Sequence, residues 1–256
     1  MQLINDLLAT LSDGRVQDIR VGAFWTGVVV EVGGQQRCGL ASTMRPDEDH
    51  HYGGGAAVRE AGRLLERSGR ELAELIRCES PMEASIGMAA INALLPVHQE
   101  QWSDLNAEEV IVRHGAGKGV ALVGHFPFVP RLQECVGRLW VLELQPRGED
   151  LPASAAAQVI PQADVLAITG TAVMNHTFEG LMALRRPAAL VLVLGPSTPL
   201  SPVLFQHGAH ILSGAVVEDP DTALRAVSQG ANFRQLHHQG VRLVTMQNMI
   251  NAEGEK

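Results

Sequence analysis

The residue best placed to do chemistry in this chain is His125, in the stretch Val120-Ala-Leu-Val-Gly-His-Phe-Pro-Phe-Val-Pro130. An imidazole offers either a proton-transfer group working near neutral pH or a metal-ligating nitrogen. His125 follows an apolar run that reads as a buried strand, and open parallel sheets hold their ligands outside the carboxyl ends of such strands. Gly124 opens the same strand end. Thr169 closes a second apolar run, and Asn175 is placed to cap a helix running through Phe178 to Leu184. Gly195, Ser197 and Thr198 follow another run, ahead of a Ser201-Pro202 helix start whose free amides could receive a carboxylate or phosphate. An ordinary capped helix accounts for that start equally well. A single histidine at a strand end can also be a hydrogen-bonded structural group.

Two other chemistries are tested by the same residues. Glu143 lies 19 residues after Gly124, a spacing suited to an acid that holds a ribose, but the G-x-G-x-x-G turn is missing. Gly115, Gly117 and Gly119 precede the strand instead of following it, which argues against a dinucleotide. The ten histidines include no H-E-x-x-H, and the cysteines no C-x-x-C, so no zinc motif is present. His50-His51 beside Asp47, Glu48 and Asp49 is the densest ligand cluster, equally readable as a solvated acidic loop. His237-His238 reads as surface.

These residues need elements to position them. The 256 residues are 46% hydrophobic, enough for one large domain or two ordinary ones. Up to Leu95 the texture is α+β. Gln2 to Leu11 has helical period, Ile19 to Val32 alternates as one or two strands, Gly33-Gly34 turns, and Gln36 to Ala41 returns. Helical patterns at Ala57 to Arg67, Glu71 to Cys78 and Pro81 to Leu95 follow, led in by Gly53-Gly54-Gly55. In the last of them Ser80 and Glu83 fit a capping box, and Gly87 points to close approach by another element or a ligand. Ser42 and Thr43, after the small sheet, are polar enough to approach a ligand. From Gly119 onward, apolar runs at Gly119 to Val123, Leu139 to Leu144, Val165 to Ile168 and Ala188 to Leu194, with a weaker candidate for a fifth at Ile211 to Val217, alternate with helical stretches, the pattern of a parallel sheet with crossover helices.

Composition removes several partners. A net charge of -8 argues against nucleic acid. The longest apolar runs fall far short of the roughly 20 residues that span a bilayer. Met1 to Leu11 carries Asn5 and Asp6 and lacks a basic lead, so it reads as an amphipathic helix and not a signal peptide. Cys38, Cys78 and Cys135 are odd in number and far apart, suiting free thiols in a reducing cytoplasm.

Four stretches taken together, Glu83 to Ala93 (EASIGMAAINA), Val123 to Phe128 (VGHFPF), Gly195 to Gly208 (GPSTPLSPVLFQHG) and Leu212 to Asp219 (LSGAVVED), resemble the bacterial and archaeal putative heavy-metal chelation family. The resemblance implies an enolase-amino-terminal-like α+β domain followed by a Rossmann-like α/β domain, with a site in the cleft between them.

The expectation is therefore a two-domain α/β protein, residues 1–108 and 109–256, whose interdomain cleft binds a small molecule or metal. One reading is a cytoplasmic metal- or metallophore-handling protein, with His125 as metal ligand, the Ser197-Thr198 loop holding an anionic group, and Ser42, Thr43, Glu83, Gly87, Gly124, Thr169, Asn175 and Gly195 contributing to the site. The other is an enzyme acting on a small carboxylate or phosphorylated metabolite, with His125 as general acid/base. The cofactor is left open, a transition metal being the candidate, and so is a homo-oligomer. On this view Gly87→Leu blocks the cleft without unfolding the chain.

Overall fold

The computed structural model describes residues 1–45 and 56–248. The chain opens with α1 (Gln2–Ala9), which buries Leu3, Ile4, Leu7 and Leu8 along one stripe. Strands β1 (Arg15–Val21), β2 (Trp25–Val32) and β3 (Gln35–Ser42) form an antiparallel sheet in that order. Gly33 and Gly34 both have positive φ, +57° and +79°, the twist a two-residue hairpin needs between β2 and β3.

Helices α2 (Gly69–Ala73) and α3 (Pro81–Leu94) complete this domain. The chain runs from α2 into a 3-10 turn, Glu74–Arg77, so the single helix expected over Glu71 to Cys78 is divided. The helix expected over Ala57 to Arg67 is absent apart from a 3-10 turn at Leu64–Glu66. Glu60 and Gly62 adopt positive φ there, which no helix interior tolerates. The Gly53-Gly54-Gly55 lead-in lies outside the described residues. Helix α3 is buried on nearly every side and packs backbone to backbone on β3. A methyl group added to Gly39 would sit 2.1 Å from the Ala89 carbonyl oxygen. Its run of alanines is what allows that approach.

The second sheet begins earlier than the sequence pattern indicates. Strand β4 (Trp102–Ser103) already pairs with the last strand, and α4 (Ala107–Gly115) follows, so the expected boundary at 108 falls inside a helix of the second domain. The chain continues as β5 (Gly119–Val123), α5 (Val129–Cys135), β6 (Arg138–Glu143), β7 (Leu151–Pro152), α6 (Ala156–Val159), β8 (Val165–Thr169), α7 (Thr171–Met174), α8 (Phe178–Leu184), β9 (Leu190–Leu194), α9 (Pro202–Gln206), β10 (Ile211–Val217), α10 (Pro220–Ser228), α11 (Phe233–Leu236) and β11 (Val241–Gln247). The strand order is β4-β11-β10-β9-β8-β5-β6-β7. Strands β7 through β10 in that order run parallel, while β11 and β4 are antiparallel at one edge. All five apolar runs are strands. Their centres, such as Ala121, Leu122, Leu166 and Val191, are buried on both faces, the condition that makes parallel strands continuous apolar runs. This is a Rossmann-like α/β domain following an α+β domain.

The chain leaves β5 for β6 on one side and later enters β8 on the other, which makes the β5/β8 boundary the topological switch point. The two domains meet through close backbone packing and a set of polar contacts. Gly22 and Gly27 of the small sheet press on α10, where a methyl group on Gly22 would lie 2.3 Å from the Val227 carbonyl oxygen. Asp6 of α1 lies 2.8 Å from His207 Nε2 beside α9, and the Leu3 amide donates to Glu179 at 3.0 Å.

Candidate functional site

Gly124, Thr169 and Gly195 end β5, β8 and β9 side by side. Both glycines have strongly positive φ, +99° and +106°. The Phe126 ring lies against Gly124 and Gly195, stacked on Phe128 with ring centres 5.1 Å apart. An aromatic side chain therefore covers the place where this fold commonly seats a nucleotide phosphate. The chemistry is displaced to the next residue, His125.

His125 is fixed by two acids. Glu143, at the end of β6, accepts the His125 amide at 2.9 Å through one oxygen and the Leu144 amide at 2.9 Å through the other. Both of its oxygens are engaged, so Glu143 anchors the loop. Asp150, just before β7, faces the imidazole with its oxygens 2.8 and 3.0 Å from Nδ1. The Asp150 side chain is 4% exposed and the His125 side chain 36%. A carboxylate only accepts, so Nδ1 carries a proton, and in the neutral ring Nε2 keeps the lone pair. This is the second shell that sets the tautomer of metal-binding and acid/base histidines.

The imidazole lines a cleft of about 1910 Å³ between the two domains. Thr43 and Asn175, two of the residues expected at the site, line it as well, together with Cys78, Arg147 and His176. Burial, with Glu83 nearby, pushes the Cys78 thiol above its ordinary value and keeps it protonated. Arg147 lines the cleft and forms no ion pair among the described residues.

Several expected site residues do other work. Ser197 is 2% exposed, and its Oγ accepts the Ser42 amide at 2.8 Å and lies 3.0 Å from Ser42 Oγ. The two serines join the domains to each other. Thr198 is buried beneath the same loop, against Gly170. Thr169 Oγ1 pairs with Thr171 Oγ1 at 3.0 Å. Gly87 faces away from the cleft lining, into the 3-10 turn, where a methyl group would sit 2.2 Å from the Ile76 nitrogen. The expected blocking of the cleft by Gly87→Leu is thus corrected, since the larger side chain would collide with backbone of its own domain.

Glu83 is not one half of a full capping box. Ser80 Oγ meets the Glu83 amide at 3.5 Å, but the Glu83 carboxylate turns to Arg59, accepting its amide at 2.8 Å and its guanidinium at 3.0–3.2 Å. Burial alone would raise its pKa, and Arg59 holds it below the usual carboxylate range. Asn175 accepts the Thr177 amide and hydroxyl, a turn ahead of α8 instead of a side-chain cap on it. His176 and Arg147 on the cleft lining, and Asp150 behind His125, are residues the sequence pattern leaves out. Among the described residues, no three His, Cys, Asp or Glu side chains gather into a metal cage. The cluster from Asp47 to His51 lies outside them. No described helix is long and apolar enough to cross a membrane.

Comparison with known proteins places this arrangement. The DUF364 family model, described as "Putative heavy-metal chelation", matches residues 106–246, and the DUF4213 model, with the same description, matches residues 4–95. The chain belongs to the DUF364 family. A crystal structure of a DUF364 protein from Desulfitobacterium hafniense is 27% identical, covers 96% of this chain and 98% of its own, and superposes with a TM-score of 0.80. One from Pyrococcus horikoshii, 21% identical with the same coverages and TM-score, shares the fold. Both are described as proteins with unknown function. An uncharacterised protein of Methanocaldococcus jannaschii is 25% identical over 229 residues, 86% of each chain. The DUF364 match begins at residue 106, next to the start of α4, in keeping with the β4 pairing that carries residues 102–103 into the second sheet.

Proposed function

We propose that this DUF364 protein is a cytoplasmic small-ligand-binding protein whose interdomain cleft takes a transition metal already held by a small anionic chelator, with His125 Nε2 completing the metal's coordination. The observation that carries the reading is the His125–Asp150 pair, 2.8 Å apart, with the carboxylate buried and the imidazole open to the cleft. One oriented imidazole is too few ligands for a bare ion, which takes four in a structural zinc site. It suits a metal that arrives with most of its coordination shell filled and exchanges a weak ligand for nitrogen. Arg147 supports an anionic chelator by offering a guanidinium for carboxylate oxygens. The three cysteines are free, in keeping with a reducing compartment. The family description of heavy-metal chelation supports the same cargo.

The same pair also favours a second reading, an enzyme on a small carboxylate or phosphorylated metabolite, because a carboxylate-oriented imidazole is a general acid/base. Elemental analysis and native mass spectrometry of protein purified without a histidine tag separate the two. Stoichiometric metal with an added organic mass supports the chelate reading, and an organic mass without metal supports the enzyme. Wild-type protein that takes up neither, even when offered metal chelates, refutes the first.

A further inference from the structure

His176 stands in the left-handed backbone region, which few residues other than glycine enter. Helix α7 ends at Asn175, and His176 follows with φ +62°. The His176 amide reaches back to Val173 O at 3.4 Å and the Thr177 amide to Ala172 O at 3.0 Å, the paired bonds of a Schellman ending. That position is usually glycine, because a side chain in the left-handed region crowds the backbone. Among the described non-glycine residues, Glu60 is the other with positive φ. Strain of this kind persists where the side chain is put to use.

The side chain has two nitrogens, and the fold accounts for one of them. Nε2 lies 2.8 Å from the Ile76 carbonyl oxygen, across the domain boundary. A carbonyl can only accept, so Nε2 carries the proton and the neutral ring keeps its lone pair on Nδ1. Nδ1 has no hydrogen-bond partner among the described residues. His176 lines the same cleft as His125. In their neutral forms the two rings are held in complementary tautomers, His125 through Nδ1 by Asp150 and His176 through Nε2 by Ile76, which puts the lone pair of each on its other nitrogen.

Resting on the reading of the cleft as a metal-chelate site, we propose that His176 is its second metal-donating imidazole, presenting Nδ1 to the cargo that His125 binds through Nε2. Two neutral imidazoles select a borderline transition metal such as zinc, nickel or copper over magnesium or calcium, which prefer oxygen. A simple strut between the domains would explain the Ile76 bond. Such a strut uses Nε2 alone and leaves Nδ1, on a ring that lines the cleft, without a role.

The test uses full-length, untagged protein and zinc(II) citrate as the probe. Long-range proton–nitrogen NMR of the histidine rings is expected to show the His176 Nδ1 and His125 Nε2 resonances shifting on titration while His176 Nε2 keeps its proton. His176→Gly, which fits the backbone better than histidine, is expected to lower zinc citrate affinity by about tenfold or more. If His125 Nε2 responds, His176 Nδ1 does not, and His176→Gly binds like wild type, this inference is overturned and the chelate reading stands. If zinc citrate produces no response in wild type, both fall. Should the glycine variant fold poorly, the wild-type nitrogen shifts decide alone.

Discussion

Asp150 holds His125 from the buried side of the cleft, a carboxylate 4% exposed gripping an imidazole 36% exposed. His125→Ala should abolish zinc citrate binding, and because it leaves the buried Asp150 carboxylate with the Arg147 amide as its remaining partner among the described residues, it should also cost about 1–3 kcal/mol of stability. Asp150→Asn removes the charge that orients the ring and should weaken binding roughly 10- to 100-fold. It should also lower the melting temperature, since a neutral amide oxygen accepts from the ring and from the Arg147 amide less strongly than a carboxylate. A His125→Ala protein that is destabilised yet binds normally would show a structural histidine.

Gly87 and Gly180 make opposite expectations for one substitution, glycine to alanine within a helix. At Gly87 the new methyl group would lie 2.2 Å from the Ile76 nitrogen, and backbone cannot turn aside as a flexible side chain can. Overpacking of that kind costs about 1–3 kcal/mol. At Gly180, inside α8, nothing lies within 4 Å of the added methyl group. There the intrinsic helix preference for alanine should add about 0.5–1 kcal/mol of stability. Urea denaturation of the two variants measures both, and a stabilised Gly87→Ala would contradict the packing of α3 on the 3-10 turn.

The same contrast shows what sequence could reveal. Strands buried on both faces announce themselves as apolar runs, so β5, β6, β8, β9 and β10 were readable, and with them the strand end that carries His125. Residues 57–67 look helical because their apolar spacing is local. What shapes them is the tether from Arg59 to Glu83 and the reversed φ at Glu60 and Gly62, which no periodicity records. Asp150 lies 25 residues beyond His125 in a polar loop and becomes visible only when β6 and β7 bring the two together. Ser42 and Ser197, polar residues after strands, have the composition of ligand contacts. Only the docking of the domains reveals that they satisfy each other.

His210 should make stability depend on pH. The Val191 amide donates to His210 Nδ1 at 3.0 Å, so the folded ring must keep a lone pair there. Burial, and then the charge of Arg185, lower its pKa below the ordinary 6.5. With the folded value below the unfolded one, the unfolded chain takes up the proton first as pH falls. The contribution of neutral His210 is therefore fully present above 6.5 and is lost as pH drops through the lowered folded value. Unfolding free energies across this acidic range should fall more steeply for wild type than for His210→Gln. Parallel curves would remove His210 as the cause.

Ser197→Ala distinguishes a joint between domains from a ligand contact. Ser42 ends β3, an edge strand of the small sheet, and its amide points to Ser197 Oγ at 2.8 Å. Removing that oxygen leaves a part-buried N–H and the Ser42 hydroxyl without their partner. The loss of a buried hydrogen bond of this type costs about 1–3 kcal/mol. Because Ser197 is 2% exposed and does not line the cleft, zinc citrate affinity should stay at the wild-type value. Urea denaturation should show the destabilisation, and a binding titration well below the unfolding transition should show none. The reverse result, weakened binding with unchanged stability, would return Ser197 to the ligand, because an oxygen that only joins the domains cannot be removed without loosening them.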